Sequence, residues 1–384
     1  MAERAAEQNN VLRKASVLSY LGCSCQDDLL PARACYGPSF DVIETSSFIK
    51  VCEQIRDSQQ KKVVVHAAGG IGKTAFMRWI HSKLMCRSIL YDCYGGGIYR
   101  ASNGARHRVR EAFIEIVNEL YVKGLCLPIL RWQSMTAETI CDMFWRRISD
   151  AVKALRCQDL TQCLYLLIDA ADNANIAAHD NGDATSFIDH LVKADVPDGC
   201  RIVFTARSER LNFTTEADDV LKIKLSGFNV EEVGTLISSK IHRGVDRNLA
   251  AAVKNFARGN PRVILNLLSH VKTVKDLKRA ISPSMPNKVS SIVGKRIQEF
   301  IRCLRKDHDQ TEIDKMGLMF DALAILPPTI PIDVLSGVSG VEQELIESFI
   351  FDFWASFWFD GDMVHFFDEP TETYFRDNYG KSED

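Results

Sequence analysis

A glycine-rich loop between an apolar run and a helical pattern is the feature that most constrains this sequence. Residues 61–78 read KKVVVHAAGGIGKTAFMR. The β-branched run predicts a buried strand, and the spacing of apolar residues over 74–84 predicts a helix. Glycines between the two let the backbone approach a ligand closely, with the amides of a helix N-terminus behind it. The segment therefore predicts a strand–loop–helix unit able to hold an anion.

The residues of this loop match the needs of nucleotide phosphates. Lys73 supplies an ammonium for the terminal phosphates, and Thr74 supplies a hydroxyl for Mg²⁺. The first glycine of the usual G-x-x-x-x-G-K-[ST] pattern is Ala67 here, which fits only if that position has ordinary backbone dihedrals. A plain turn would need neither lysine nor threonine. The residues expected around the phosphates are Ala68, Gly69, Gly70, Ile71, Gly72, Lys73, Thr74 and Ala75.

Short β-branched runs alternate with amphipathic stretches from about residue 61, which predicts a parallel sheet wrapped by helices. The predicted strands span 63–66, 88–92, 164–169, 201–205 and 220–225. Helical segments follow after residue 226. The last part gives helices and then two apolar arms joined at Asp360-Gly361, an order typical of a winged helix.

These patterns predict an α/β P-loop NTPase sheet with helices on both faces, followed by a small helical domain and a winged-helix domain. The predicted boundaries are an N-terminal extension at 1–37, a nucleotide-binding domain at 38–228, a helical lid domain at 229–305 and a winged-helix domain at 306–384.

Composition and charge exclude several classes of function. A net charge of -3 gives no global attraction to nucleic acid or anionic lipid. The predicted helix VEQELIESFIFDF carries only acidic charges, which argues against DNA reading by the winged helix. The run FIFDFWASFWF is too short to span a bilayer, and no N-terminal signal pattern is present. Twelve cysteines without a CxxC pair indicate reduced thiols, so we expect a soluble, cytoplasmic protein with no membrane partner.

Two other strand ends carry residues that suit the same chemistry. Asp169 ends the run CLYLLID, where a carboxylate would share the Mg²⁺ with Thr74. Asp172 has two open interpretations, orienting the attacking water or capping a helix. Arg207 follows the run GCRIVFTA and places a guanidinium at the carboxyl edge of the sheet, although a surface arginine on a loop has the same pattern.

Three segments together resemble the STAND branch of AP-ATPase/NB-ARC and NACHT-like signalling NTPases. AAGGIGKTAF is similar to the family's GxGGxGKT loop, GCRIVFTAR to its sensor strand and RGNPRVI to its G-x-P motif, in the family's order. The segments LYDCYGGGIYR, ARHRVREAFIEIVNEL and IDAADNA most resemble bacterial antiviral STAND ATPases.

The resemblance implies roles for further residues. Arg207 looks like the γ-phosphate sensor and Pro261 like the residue that packs against adenine, whereas the pattern alone makes Gly259-Asn260-Pro261 a helix boundary. Val42 and Ile43 fall where the family has an adenine-contacting entry strand, and core packing accounts for them equally well. The family's winged helix contacts nucleotide through a histidine, at whose position Asp368 stands, with His365 three residues earlier. His107 is expected at the surface with no chemical role.

The expected function is an ATP/ADP-dependent signalling switch with Mg²⁺, slow hydrolysis and homo-oligomerisation on activation, in bacterial antiphage defence. Lys73, Asp169, Asp172 and Arg207 would form its catalytic set. Such a switch normally carries effector and sensor modules; neither is recognisable here, so we expect separate partners or a longer protein to supply them. The alternatives are a stand-alone ATPase or small-molecule kinase, favoured by rapid steady turnover, and a nucleotide-gated transcription regulator, favoured by salt-sensitive DNA binding.

Overall fold

The fold is that of a computed structural model of the 384-residue chain. The structure describes residues 14–20, 42–95, 99, 105–130, 135–157, 159–215, 219–241, 246–269, 271–281, 291, 294–295, 297–298, 302, 310–352, 357–366 and 369–380.

A five-stranded parallel sheet forms the centre of the largest unit. Its strands are β1 (Lys62–Ala67), β2 (Ser88–Asp92), β3 (Leu164–Asp169), β4 (Cys200–Arg207) and β5 (Val220–Lys224), in the spatial order β2-β3-β4-β1-β5. Every neighbouring pair is parallel. All five carboxyl ends therefore lie at one edge, where α/β sheets bind ligands. The predicted α/β fold class is confirmed.

Helices cover both faces of the sheet because successive strand residues point to opposite sides. On one face, Val63 and Val65 pack with Phe76 of α3 (Lys73–Leu84) and Phe48 of α2 (Ser46–Asp57). A larger core covers the other face, built with α4 (Val109–Val122), α5 (Ala137–Arg156) and α7 (Phe187–Lys193). Helix α6 (Ala171–Asp180) follows β3 directly and lies between α5 and α7 in the chain. A short helix, α1 (Lys14–Tyr20), precedes the domain.

A helical unit follows the sheet and has its own apolar core. It contains α8 (Val230–Ile241), α9 (Arg247–Ala257), α10 (Pro261–Ser269) and α11 (Val274–Ala280). Val233, Ile237 and Val253 are among its fully buried side chains.

The C-terminal unit combines helices with a small antiparallel sheet. Its order is α12 (Gln310–Ile325), β6 (Thr329–Pro331), α13 (Ile332–Ser339), α14 (Gln343–Asp352), β7 (Phe357–Asp360), β8 (Met363–Phe366) and α15 (Glu369–Asn378). The strand order is β6-β8-β7. Asp360 pairs with Met363, and Gly361 between them has a positive φ of 58°, so the predicted hairpin turn is present. The winged-helix assignment and the domain boundaries stay predictions.

Most predicted strands differ from the observed ones by one or two residues at an end. Val42 and Ile43, which the family resemblance placed near an adenine-contacting entry strand, lie in residues 42–45, which have no regular structure and lead into α2. The cysteines that the structure describes are free thiols. No helix in the described part of the chain is both long and apolar enough to cross a membrane.

Candidate functional site

The loop between β1 and α3 has the backbone shape that a phosphate cradle requires. Gly70 and Gly72 have φ values of 80° and 103°, a region that glycine reaches without steric cost. Ala67 ends β1 and is not among the described residues with positive φ, so its departure from the glycine pattern causes no strain. The first amides of a helix such as α3 have no acceptor within the helix and are available to an anion. Ala68, Gly69 and Ile71 lie between β1 and α3, and Ala75 lies in the first turn of α3; their contact with phosphates stays a prediction.

Lys73 lies at the first residue of α3 and folds over the loop. Its Nζ donates to the carbonyl oxygen of Ala67 at 2.9 Å and to that of Ala68 at 3.4 Å. Burial lowers the pKa of Lys73 below its ordinary value, and the nearby carboxylates of Asp172 and Asp169 oppose that shift. The ammonium therefore lies half-buried near two carboxylates, where an anionic ligand would interact with it more strongly than in open water. Thr74 follows it and is exposed.

Asp169 ends β3 with its side chain buried, and a threonine holds it in place. The hydroxyl of Thr205 donates to Asp169 Oδ1 and accepts the amide hydrogen of Ala170 at 2.9 Å. Ala170 has a left-handed φ of 54°, which is unfavourable for alanine and turns the chain sharply into α6. Thr205 thus fixes both the carboxylate and the strained turn beside it.

Two further carboxylates, those of Asp92 and Asp172, lie at the same edge of the sheet as Asp169. Asp172 lies in the first turn of α6 rather than at its cap, and Arg210 pairs with it at 3.4 Å. Burial, and then the Glu369 charge, raise the pKa of Asp172 to about 6. Asp92, at the end of β2, is the direct register neighbour of Asp169. Burial, and then the Asp169 charge, raise the pKa of Asp92 to about 6. Three carboxylates therefore share one edge of the sheet.

Arg207 ends β4 and contacts the C-terminal unit. Its register partner is Ala67, so it lies beside the start of the loop. Its Nη2 pairs with Glu369 Oε2 at 3.0 Å, and Arg210 Nη1 pairs with Glu369 Oε1 at 2.8 Å. The Arg207 side chain is only 15% exposed, so it is not a free surface arginine.

Asn260, just before α10, joins the helical unit to the loop. Its Nδ2 donates to the carbonyl oxygen of Gly69 at 2.9 Å, and its Oδ1 accepts the amide hydrogen of Arg262 at 3.0 Å. Pro261 is the first residue of α10, where its missing N–H costs nothing. Pro261 therefore lies close to the loop, and its adenine role stays a prediction.

The remaining predicted residues lie in different surroundings. Val42 is half-buried against the core on the α3 face, and Ile43 is 40% exposed. The surface prediction for His107 was wrong: it is fully buried and its Nε2 lies 2.6 Å from Asp183 Oδ2. His365 is buried in β8 and stacks on Trp358. Asp368 lies outside the described residues.

The arrangement fits a magnesium nucleotide. Lys73 and the loop amides would hold the phosphates, Thr74 and Asp169 would hold the metal, and the bound Mg²⁺ would supply charge neutralisation. Within the described ranges, no three His, Cys, Asp or Glu side chains are grouped as an all-protein metal site. Thr74 and Asp169 would offer one hydroxyl oxygen and one carboxylate, and such a set suits Mg²⁺, which keeps waters and substrate phosphates among its ligands.

Sequence reasoning missed Thr205, Arg210, Asn260, Asp92 and Glu369 as members of this site. Asp92 had a usable signal, because it ends an apolar run as Asp169 does. Arg210 and Glu369 had none, since the contact between them joins positions 159 residues apart.

Comparisons with solved structures give remote likenesses. The Walker-type ATPase of Pyrococcus abyssi is 12% identical at a TM-score of 0.45, over 88% of this chain and 96% of that one. A STAND protein with a tetratricopeptide repeat sensor from Pyrococcus horikoshii is 14% identical at a TM-score of 0.45, over 91% of this chain and 45% of that one. The Aeropyrum pernix Orc1 protein, solved with DNA, is 12% identical at a TM-score of 0.36, over 92% of this chain and 96% of that one. No protein-family model matches the chain, and no curated protein does.

Proposed function

We propose that the chain is an ATP/ADP-dependent switch that binds Mg-ATP in the β1–α3 loop and hydrolyses it slowly. The observation that carries the proposal is the convergence, at one edge of the sheet, of the Gly70–Gly72 cradle, the half-buried ammonium of Lys73 and the buried carboxylate of Asp169. A turn that only connected a strand to a helix would not need a half-buried lysine near two aspartates.

In this proposal each residue has a separate task. Lys73 binds the terminal phosphates, Thr74 and Asp169 hold the metal, and Arg207 senses the γ-phosphate. Asp172 lies in the same edge with a raised pKa of about 6, which suits a group that accepts a proton from the attacking water near neutral pH. Without an arginine supplied from another molecule, hydrolysis is expected on the order of 10⁻⁴ to 10⁻² per second.

The contact between the C-terminal unit and the nucleotide edge supports a switch over a continuous motor. Glu369 of α15 pairs with Arg207 and Arg210, and Glu372 of the same helix accepts from the hydroxyl of Tyr94 at 3.3 Å. The state of the nucleotide edge is thus coupled to the placement of another unit. We extend the proposal to nucleotide-gated homo-oligomerisation and, on the sequence resemblance, to antiphage defence in the cytoplasm with effector and sensor partners. Size-exclusion chromatography with light scattering, with ADP or a nonhydrolysable triphosphate, tests the oligomerisation.

Nucleotide binding is tested by thermal unfolding. Ligand at about 100 times its Kd should stabilise the wild-type fold by about 2.7 kcal/mol. Lys73→Ala should remove most of that shift, because it deletes charge-assisted contacts worth about 1.5–3 kcal/mol each. Lys50→Ala is the matched control, since Lys50 is an exposed lysine of α2 away from the loop. An equal response of the two variants to Mg-ATP would contradict the proposal.

A further inference from the structure

Arg207, which ends β4, and Arg210, three residues later in the chain, converge on the carboxylate of Glu369. Glu369 offers one oxygen to each guanidinium, Oε2 to Arg207 at 3.0 Å and Oε1 to Arg210 at 2.8 Å. The Glu369 side chain is 18% exposed and that of Arg207 15%, so most of this contact is shielded from water. Such charge-assisted bonds are roughly twice as strong as neutral ones.

This anion site adjoins the phosphate loop. Arg207 is paired in register with Ala67, the residue from which the loop departs. The charges of Arg207 and Glu369 both reach Lys73 closely enough to influence its pKa, although burial dominates that pKa. An anion held by the two arginines therefore lies beside any phosphate held by the lysine.

The surroundings of Arg210 suit a larger anion than a carboxylate. Arg210 Nη1 also donates to Asn173 Oδ1 at 3.5 Å. Asn173 is fully buried, and its Nδ2 has no hydrogen-bond partner in the part of the chain that the structure describes. A phosphate carries more charge than Glu369 and one more acceptor oxygen, so it can accept from both guanidinium groups and keep an oxygen for a further donor.

We propose that Arg207 and Arg210 form a two-arginine site for the terminal phosphate of a nucleoside triphosphate, and that Glu369 is the intramolecular anion occupying it in this state. The inference rests on the proposed nucleotide site. A triphosphate and Glu369 then exclude one another, whereas a diphosphate leaves Glu369 in place. Binding of the triphosphate releases the start of α15, and the docked α15 weakens triphosphate binding by the same factor.

The first test compares triphosphate and diphosphate affinities by calorimetry on the full chain with Mg²⁺. Glu369→Gln keeps the side-chain shape and removes the competing charge. It should tighten binding of a nonhydrolysable ATP analogue by about tenfold, within the usual range of allosteric couplings, and leave ADP affinity within about twofold. Glu347→Gln removes the same charge from the exposed face of α14 and should change neither affinity.

The second test asks whether Arg210 binds the phosphate. In the Glu369→Gln background, Arg210→Gln should weaken binding of the triphosphate analogue about tenfold and spare ADP, because one charge-assisted contact accounts for about that factor. Equal weakening of both nucleotides would overturn the assignment of Arg210 to the terminal phosphate.

The third test needs no variant. Hydrogen exchange in residues 369–378 of the wild-type chain should rise with the triphosphate analogue and stay unchanged with ADP. Suppose that both nucleotides bind, that Glu369→Gln has the same ratio of triphosphate to diphosphate affinity as the wild type, and that the triphosphate analogue leaves hydrogen exchange in α15 unchanged. The two-arginine competition is then wrong, and the nucleotide site stands. A wild-type chain that binds neither nucleotide contradicts the proposed function itself.

Discussion

At the scale of single residues, Thr205 is the side chain that holds the carboxylate of Asp169, the proposed metal ligand, in place. It is fully buried, donates to Asp169 and accepts from the amide of Ala170, whose left-handed conformation is unfavourable for alanine. One hydroxyl therefore satisfies a buried carboxylate and a strained turn together. Removing this hydroxyl lowers the free energy of unfolding, because the Asp169 carboxylate and the Ala170 amide stay buried and lose a hydrogen-bond partner.

Replacing Thr205 by valine should lower the unfolding free energy of the nucleotide-free chain by about 1–3 kcal/mol, the cost of leaving a buried donor unsatisfied. It should also raise the Mg²⁺ concentration needed for ATP to stabilise the fold, since Asp169 loses its positioning partner. Urea denaturation and thermal shift measure the two effects. Thr205→Ser keeps the hydroxyl and should restore both; a serine variant as impaired as the valine one would show that the hydroxyl alone does not account for the two effects.

Asp172 gives a pH dependence whose sign is set by burial. Its pKa is raised from an ordinary 3.8 to about 6, so the folded state binds its proton more tightly than the unfolded state. The charged form then destabilises the fold. This penalty is absent below pH 3.8, grows as the pH rises and is complete above about pH 6.

Asp172→Asn should therefore stabilise the nucleotide-free chain at pH 7 by up to about 3 kcal/mol, at about 1.4 kcal/mol per pKa unit. The gain should shrink toward zero near pH 4. Urea titrations of variant and wild type from pH 4 to pH 7.5 give the difference. Asp198→Asn is the control of opposite sign, because Lys61 lowers the pKa of Asp198 and its charged form stabilises the fold. A pH-independent difference for Asp172→Asn would contradict the burial argument.

At the scale of secondary-structure elements, the N-terminus of α10 is fitted onto the phosphate loop. Asn260 donates to the carbonyl of Gly69, and the amide of Arg262 lies 3.4 Å from the carbonyl oxygen of Gly70. A methyl group added at Gly70 would lie 2.9 Å from Asn260 Oδ1, a distance that forces a shift, whereas one added at Gly69 would meet no heavy atom within 4 Å. Two adjacent glycines thus have different structural roles.

Gly70→Ala should cost about 1–2 kcal/mol from its left-handed backbone alone, and more from displacing Asn260. Gly69→Ala should leave the unfolding free energy of the nucleotide-free chain nearly unchanged. Denaturant unfolding compares the two variants, and hydrogen exchange at residues 261–269 reports whether α10 loosens. Equal losses in both variants would mean that the loop shape, not its contact with α10, determines the cost.

The elements that sequence predicted well are those with a strong local pattern. Residues 164–169 and 88–92 were predicted with the observed ends, because a buried parallel strand is a continuous apolar run that a polar residue stops. The three-residue strand β6 has too few residues for any pattern. In the site, the loop residues could be predicted from their motif, whereas Thr205 and Glu369 could not, because their roles come from contacts between distant positions.

At the scale of the whole molecule, separate apolar cores are joined by polar contacts. The C-terminal core includes Phe320, Phe357 and Phe375 and is distinct from the cores on the two faces of the parallel sheet. Contacts between the units include the Glu369 ion pairs and the hydroxyls of Tyr94 and Tyr99 near Glu372. Polar contacts of this kind separate at lower cost than a continuous core, so the units should be able to move relative to one another.

Helix α15 contacts both the C-terminal core and the carboxyl edge of the parallel sheet. Phe375 is fully buried in the C-terminal core, and Arg376 donates to the carbonyls of Ala324 and Leu326 at 2.9 and 3.0 Å. Glu369, at the other end of the helix, pairs with Arg207 at the carboxyl edge of the parallel sheet. Because its core contacts fix the helix within the C-terminal unit, release of Glu369 should move that unit as a body.

Phe375→Ala should therefore destabilise the C-terminal unit by about 3–5 kcal/mol, the usual cost of truncating a buried phenylalanine, without destabilising the parallel sheet. Hydrogen exchange by mass spectrometry should show faster exchange in residues 310–352 and 357–380 and unchanged exchange in β1 and β4. Phe113→Ala, which removes the ring stacked on Phe144 in the sheet core, should give the reverse. If either substitution accelerated exchange equally in both units, the molecule would unfold as one cooperative body. The C-terminal unit could then not move independently of the parallel sheet, as release of Glu369 requires.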